Sequence, residues 1–182
     1  MLSIARVFYP VTVLGPGNRV GIWIAGCRQN CKGCISPELR NEANGRLMST
    51  KEIIGIIKTI NCKIDGITIS GGEPFLHPKD LYDLLLSLEL FTEDIIVFTG
   101  LKYEELIEDK DSYNALRHIS VLIDGEYDRK RKVDKGLRGS SNQQIIILKN
   151  PEKYSNLELC DRKIQNVLFG EKLLSIGIPK GE

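Results

Sequence analysis

This chain of 182 residues has little of what would place it in a specialised class. It has almost no net charge: 25 Lys+Arg stand against 24 Asp+Glu. A dedicated nucleic-acid or membrane-surface binder carries a strong basic excess, so the balance argues against both. Long apolar runs are missing too. The longest are short, such as Ile145-Ile146-Ile147-Leu148, far from the roughly 20 residues of a membrane helix. The start, Met1-Leu2-Ser3-Ile4-Ala5-Arg6, shows no charged segment, apolar segment or small-residue cleavage site of a secretory signal. The expectation is a soluble cytoplasmic protein. No low-complexity tract or internal repeat suggests disorder or a solenoid, and the length supports a core without staples.

Cysteine is scarce but concentrated. Of five, Cys27, Cys31 and Cys34 crowd one short segment, with Cys62 and Cys160 elsewhere. An odd count in a reducing compartment favours a metal site over disulfides, with Cys62 and Cys160 expected as free buried thiols.

The rest of the chain alternates short apolar runs with glycine or polar punctuation. Val20 to Ala25, Gly66 to Ile69, Ile95 to Phe98, Ser120 to Ile123 and Gln144 to Leu148 read as buried strands. Between them lie helical patterns. Ser49-Thr50-Lys51-Glu52 is a capping box ahead of Ile53, Ile56, Ile57 and Ile60. Pro78 suits a first helical position ahead of the Leu81, Leu84, Leu85 and Leu88 stripe. Tyr103 to Arg117 reads as a helix broken near Asp109 to Ser112. Strand ends recur every 24 to 29 residues or so, the spacing of βα units. After Pro151 the pattern is less regular, with two short strands expected in Lys163 to Phe169 and Leu173 to Ile178.

In parallel α/β folds, ligands sit beyond the carboxyl ends of the strands. Here those ends carry Cys27, Ser70-Gly71-Gly72-Glu73, Thr99 and Asp124. The cysteine segment reads C-x3-C-x2-C, and Gly26 and Gly33 let its backbone turn tightly. Cys27, Cys31 and Cys34 also fall at i, i+4 and i+7 of a helix, but the glycines and the preceding strand favour a loop. Arg28 and Lys32 are expected to lower the thiol pKa values. Three thiolates suit a soft metal centre. A closed zinc site needs a fourth ligand, for which Cys62, Cys160, His77 and His118 are candidates. An iron–sulfur cube on three cysteines keeps one iron open.

The C-x3-C-x2-C segment, followed about 40 residues later by Gly71-Gly72-Glu73-Pro74, resembles the radical S-adenosylmethionine (SAM) superfamily. Further segments narrow the resemblance to activating enzymes of glycyl-radical proteins, and among them to those of anaerobic (class III) ribonucleotide reductase. They are Gly15-Pro16-Gly17-Asn18-Arg19, Phe98-Thr99-Gly100, Val121 to Gly125 and Arg138-Gly139-Ser140-Ser141-Asn142-Gln143. The resemblance implies an α/β fold: a partial, incomplete TIM-like β/α barrel with mainly parallel strands. One radical SAM domain would span residues 1–182, with its core at about 15–148 and an extension at 149–182. It also implies a 4Fe–4S cluster on Cys27, Cys31 and Cys34, and SAM held by Ser70, Gly71, Gly72, Glu73 and Pro74. Strand-end position adds Thr99 and Asp124 as candidate polar contacts to SAM, with Asp124 equally readable as a turn residue before Gly125. Arg19, Asn142 and Gln143 become candidate contacts to SAM or the partner. The implied partners are the large subunit of anaerobic ribonucleotide reductase and a low-potential donor such as flavodoxin or ferredoxin. The same chemistry on a small molecule, peptide or RNA competes with this reading, as does a non-enzymatic metal-binding module. Trp23 and His118 are expected to be structural, and His77 to start a helix. The basic run Arg129-Lys130-Arg131-Lys132 is either a solvated loop or a dock for an acidic surface. At this length the site is expected to stay open on one side, because a full barrel needs about 250 residues.

Overall fold

In the computed structural model, which describes residues 1–170 and 172–180, one seven-stranded sheet organises the chain. Its strands are β1 (Leu2–Val11), β2 (Arg19–Ile24), β3 (Arg46–Met48), β4 (Gly66–Gly71), β5 (Ile95–Phe98), β6 (Val121–Asp124) and β7 (Gln144–Ile147). They lie in the order β3-β1-β2-β4-β5-β6-β7. The pairings β2–β4, β4–β5 and β5–β6 are parallel. The pairings β1–β2, β1–β3 and β6–β7 are antiparallel.

This corrects the expected partial TIM-like barrel with mainly parallel strands. The sheet is mixed, and β3 and β7 end it without pairing to each other. The cause lies in the connections. A parallel neighbour requires a long crossover. Only residues 12–18 separate β1 from β2, too few for one. Between β6 and β7 the chain forms only the short 3-10 turn Arg129–Arg131 before reversing. The central crossovers do carry α-helices: α1 (Thr50–Lys58), α2 (Pro78–Leu88), and the pair α3 (Tyr103–Glu108) and α4 (Lys110–Leu116).

Local chemistry explains these helices. Ser49 and Glu52 make both bonds of the capping box that starts α1. Pro78 opens α2, whose Leu81, Leu84, Leu85 and Leu88 are all buried. The break between α3 and α4 falls at Asp109, whose extended backbone ends one helix while its carboxylate caps Ser112 N–H of the next.

Alternating side chains divide the sheet between two cores. On one face Ile22, Ile67, Ile69, Ile95 and Leu122 pack under the helices, with Ile53, Leu84 and Leu116. Among the described residues, no α-helix lies on the other face. There Ile96, Val121 and Ile123 meet Leu137, Tyr154 and Leu157, and Trp23 meets Val11, Leu14, Leu39 and Ile176. That second face is covered by the irregular chain after β7 and by a separate antiparallel hairpin, β8 (Gln165–Phe169) with β9 (Lys172–Ile176). No helix among the described residues is long and apolar enough to cross a membrane.

Candidate functional site

The carboxyl ends of β2, β4 and β5 converge on the cysteine loop. Their contact is made by backbone bonds. Gly72 N–H donates to Ile24 C=O at 2.6 Å and Glu73 N–H to Gly26 C=O at 2.7 Å, stitching β4 to the loop's first residues. On its other side, Gly26 N–H donates to Leu39 C=O and Cys27 N–H to Arg40 C=O. This closeness explains the glycines. Gly71 has φ +115°, and a Cβ there would collide with the Ile24 backbone; one on Gly72 would collide with the Gly26 carbonyl.

Cys27, Cys31 and Cys34 are half-buried on a loop without helical structure. All three line one cavity of about 130 Å³, with Ser70, Gly71, Gly72, Glu73, Thr99 and Gln143 around it. It adjoins a larger chamber of about 440 Å³ that shares Cys31, Cys34, Ser70, Gly71, Phe98 and Gln143 and adds Arg6, Leu14 and Trp23. Trp23 is therefore core on its strand and chamber wall at its edge, with the Arg6 guanidinium 5.7 Å from its ring centre.

Burial is the main influence on Cys27 and Cys31 and pushes both thiols up. Arg28 and Lys32, the expected activators, are exposed, and the cation acting on Cys27 is Arg40. Arg40 also braces the loop, donating to the Cys31 carbonyl at 2.7 Å and to Asn30 Oδ1 at 3.1 Å. Sequence reasoning passed over it. It also missed Tyr127 and Glu126, whose backbone and side chain reach Cys31 from the turn after β6. Neither has a signal in the sequence beyond following a strand end.

Glu73 is 4% exposed. Its Oε1 accepts from Thr99 Oγ1 at 2.7 Å and Phe75 N–H at 3.0 Å, and its Oε2 from Gly100 N–H at 2.8 Å. Burial raises its pKa, and these three bonds oppose the rise. Glu73 thus ties the end of β4 to the end of β5. Thr99, 5% exposed, spends its hydroxyl hydrogen on that tie. Glu73→Gln should place an NH2 group against donors and lower stability by about 1–3 kcal/mol. Thermal unfolding of the variant, several degrees below the parent, checks this.

Several sequence candidates lie elsewhere. Asp124 is buried under the site, accepting from Tyr103 N–H and Gln144 N–H, and does not line either cavity. Arg19 is fully buried at the opposite end of β2. It donates to Thr68 Oγ1 at 2.7 Å, the Ile67 carbonyl at 2.7 Å and Asp94 Oδ1 at 2.9 Å. Its guanidinium is far too committed to contact a ligand. Pro74 is buried at the start of the short turn Pro74–Leu76. Asn142 is exposed, donating to the Glu126 carbonyl. Gln143 reaches the cavity and bridges Gly125 C=O to Gly139 N–H, holding the Arg138 to Gln143 loop against the β6 turn. The basic run Arg129 to Lys132 is exposed.

The donor set fits an iron–sulfur cluster. Among the described residues, no three of His, Cys, Asp and Glu gather as ligands of a single ion. The candidates for a fourth zinc ligand are engaged or remote: His77 pairs with Glu42, His118 with Glu89, Cys160 faces the Leu157 carbonyl, and Cys62 is exposed rather than buried. Three thiols around an open cavity match a polynuclear centre that keeps one position free.

Comparison with known proteins agrees. Residues 13–146 match the model of the 4Fe-4S single cluster domain family. A Haemophilus influenzae anaerobic ribonucleoside-triphosphate reductase-activating protein is 37% identical over 149 residues, covering 76% of this chain and 94% of the relative. The proteins of the same name from Escherichia coli K12 and enterobacteria phage T4 are 34% and 30% identical, each over more than three quarters of this chain and at least 90% of their own length. With the three thiols, the glycine strand end and the cavity in one place, the chain belongs to the family of anaerobic ribonucleoside-triphosphate reductase-activating proteins.

Proposed function

We propose that this chain is a cytoplasmic radical SAM activase that places a glycyl radical on the large subunit of anaerobic ribonucleotide reductase. The observation that carries the reading is the convergence of Cys27, Cys31 and Cys34 with Ser70-Gly71-Gly72 on one cavity. A cluster held by Cys27, Cys31 and Cys34 would supply one-electron reductive cleavage of the SAM sulfonium, the source of the hydrogen-abstracting radical for a glycine of the reductase. A low-potential donor such as flavodoxin or ferredoxin supplies that electron.

The chain's own residues hold, orient and exclude. Cys27, Cys31 and Cys34 would hold three irons of a cube, and the fourth would be free to take SAM. Gly71 and Gly72 let the end of β4 press against the Ile24 and Gly26 backbone beside the cysteine loop, which brings β4 to the edge of the cavity. Glu73 and Thr99 act as positioning residues, fixing the β4 and β5 ends relative to each other. Trp23, Leu14 and Phe98 give the chamber an apolar wall that displaces water from around the reacting centre.

The test is anaerobic reconstitution with iron and sulfide, followed by SAM, a reductant and the purified reductase. A glycyl doublet in electron paramagnetic resonance is expected. SAM cleavage without that doublet removes the reductase as substrate. A colourless protein holding one zinc removes the cluster.

A further inference from the structure

The match to the cluster-domain family ends at residue 146, and relatives covered to 94% of their length leave about a quarter of this chain unmatched. Yet the chain beyond that point forms part of the chamber. Leu173, Leu174, Ser175, Ile176, Gly177 and Ile178 line the 440 Å³ cavity together with Ser70, Gly71 and the cysteine loop. We propose that the β8–β9 hairpin is an added outer wall of the nucleoside site, with Leu174 and Ile176 as its binding face. This rests on the SAM reading above and assigns to it a wall beyond the matched core.

The hairpin is seated, not draped. Ile176 is 2% exposed and packs with Val11, Leu14, Trp23 and Leu39, while Leu174 and Ile178 join the same cluster. Strand alternation puts Leu174 and Ile176 on this inner face, and Ile178 just beyond β9 joins the same cluster; Leu173 also borders the cavity but is 62% exposed. Both ends are tied down. Gln165 donates to the Pro10 carbonyl and accepts from Thr12 N–H. Arg162, just before β8, donates to the Pro179 carbonyl just after β9, and to the carbonyls of Gly136 and Arg138. That last contact joins the hairpin to the loop carrying Gly139 and Gln143, which line the same chamber. The chamber volume falls within the range of small-molecule sites, roughly 300–1,000 Å³, and such sites hold ligands mostly through apolar walls.

The single tryptophan, Trp23, packs with Ile176 and lines the same cavity, so it reports on both. The experiment uses the full cluster-loaded chain, with S-adenosylhomocysteine as an uncleavable probe. Its affinity is measured by calorimetry, with Trp23 emission and iron content followed in parallel. Ile176→Ser and the milder Leu174→Ala should each weaken binding, Ile176→Ser by about tenfold or more, at unchanged iron content. Ile176→Ser should also shift Trp23 emission to the red as water enters. Unchanged affinity in a variant whose emission has shifted overturns the proposal, because the wall has then moved without consequence for the ligand. Unchanged affinity for both variants without any shift overturns it equally, since neither side chain then matters. If the parent chain itself fails to bind the probe, the underlying SAM reading has failed, and the hairpin proposal falls with it.

Discussion

Replacing Cys27, Cys31 or Cys34 singly by Ala should abolish glycyl-radical formation altogether, while Cys62→Ala and Cys160→Ala leave it intact. The three sit around one cavity; the other two do not. Loss of one thiolate leaves two ligands for a cube that needs three, so the cluster is not retained in a defined form. Iron content and the cluster's visible absorption should fall together. Circular dichroism should not change, because the three cysteines belong to none of the buried apolar clusters that hold the sheet. Full cluster absorption in Cys34→Ala would falsify the ligand assignment. Retained activity in that variant sinks it as well.

The second large effect concerns stability and comes from Arg19. Its guanidinium is fully buried and pairs with Asp94, itself 7% exposed at the side chain. Asp94 also accepts from Tyr154 Oη at 2.6 Å, and Lys153 Nζ lies 2.6 Å from its other oxygen as an ion pair. Arg19→Ala would leave that carboxylate buried without its main partner, a loss of about 3–5 kcal/mol. Burial acts to raise the Asp94 pKa, but the Arg19 bond and charge, with Lys153 and Tyr154, hold it below the ordinary value. Its partner Tyr154 is driven the other way, by burial and by the neighbouring carboxylate. A carboxylate depressed in the folded state contributes stability above its unfolded pKa, near 4. That contribution is lost as pH falls below this value toward the depressed one. The parent chain should therefore lose stability on acidification through that window, and Arg19→Ala should show less of this slope. Denaturant unfolding at pH 7 and at successively lower pH checks both. A variant as stable as the parent at pH 7 refutes the structural role assigned to Arg19.

Arg19 also shows where sequence reading reaches its limit. After Gly15-Pro16-Gly17-Asn18 it looks like a residue presented to a ligand. Its decisive partner, Asp94, lies 75 residues away and has no local signature. Asp124 misleads in the same way, since a strand-end carboxylate can face a ligand or hold the next strand, and only its donors decide. Signals contained within a few residues were legible. The Ser49–Glu52 box, the leucine stripe after Pro78 and the break at Asp109 all depend on neighbours along the chain. The cysteine loop was legible because metal ligation constrains spacing. The open sheet was not, because closure depends on whether edge strands meet, and β3 and β7 carry no local mark of staying apart. The tail after Pro151 carries the pattern of two strands, but its seat against the chamber is set by Trp23 and Leu14, far away in sequence.

The stitching of the cysteine loop bears on how the protein ages. Gly26 and Cys27 are held by Leu39 and Arg40, Gly72 and Glu73 by Ile24 and Gly26, and Cys34 N–H by the Cys31 carbonyl. None of these bonds passes through a metal. In small zinc modules the ion is the keystone, and its removal unfolds the chain. Here the loop is anchored by backbone hydrogen bonds to Ile24, Leu39 and Arg40, so loss of iron to oxygen should leave the strand ends in place. Circular dichroism and thermal unfolding before and after chelation, followed by reloading with iron and sulfide, check whether the emptied protein can be refilled.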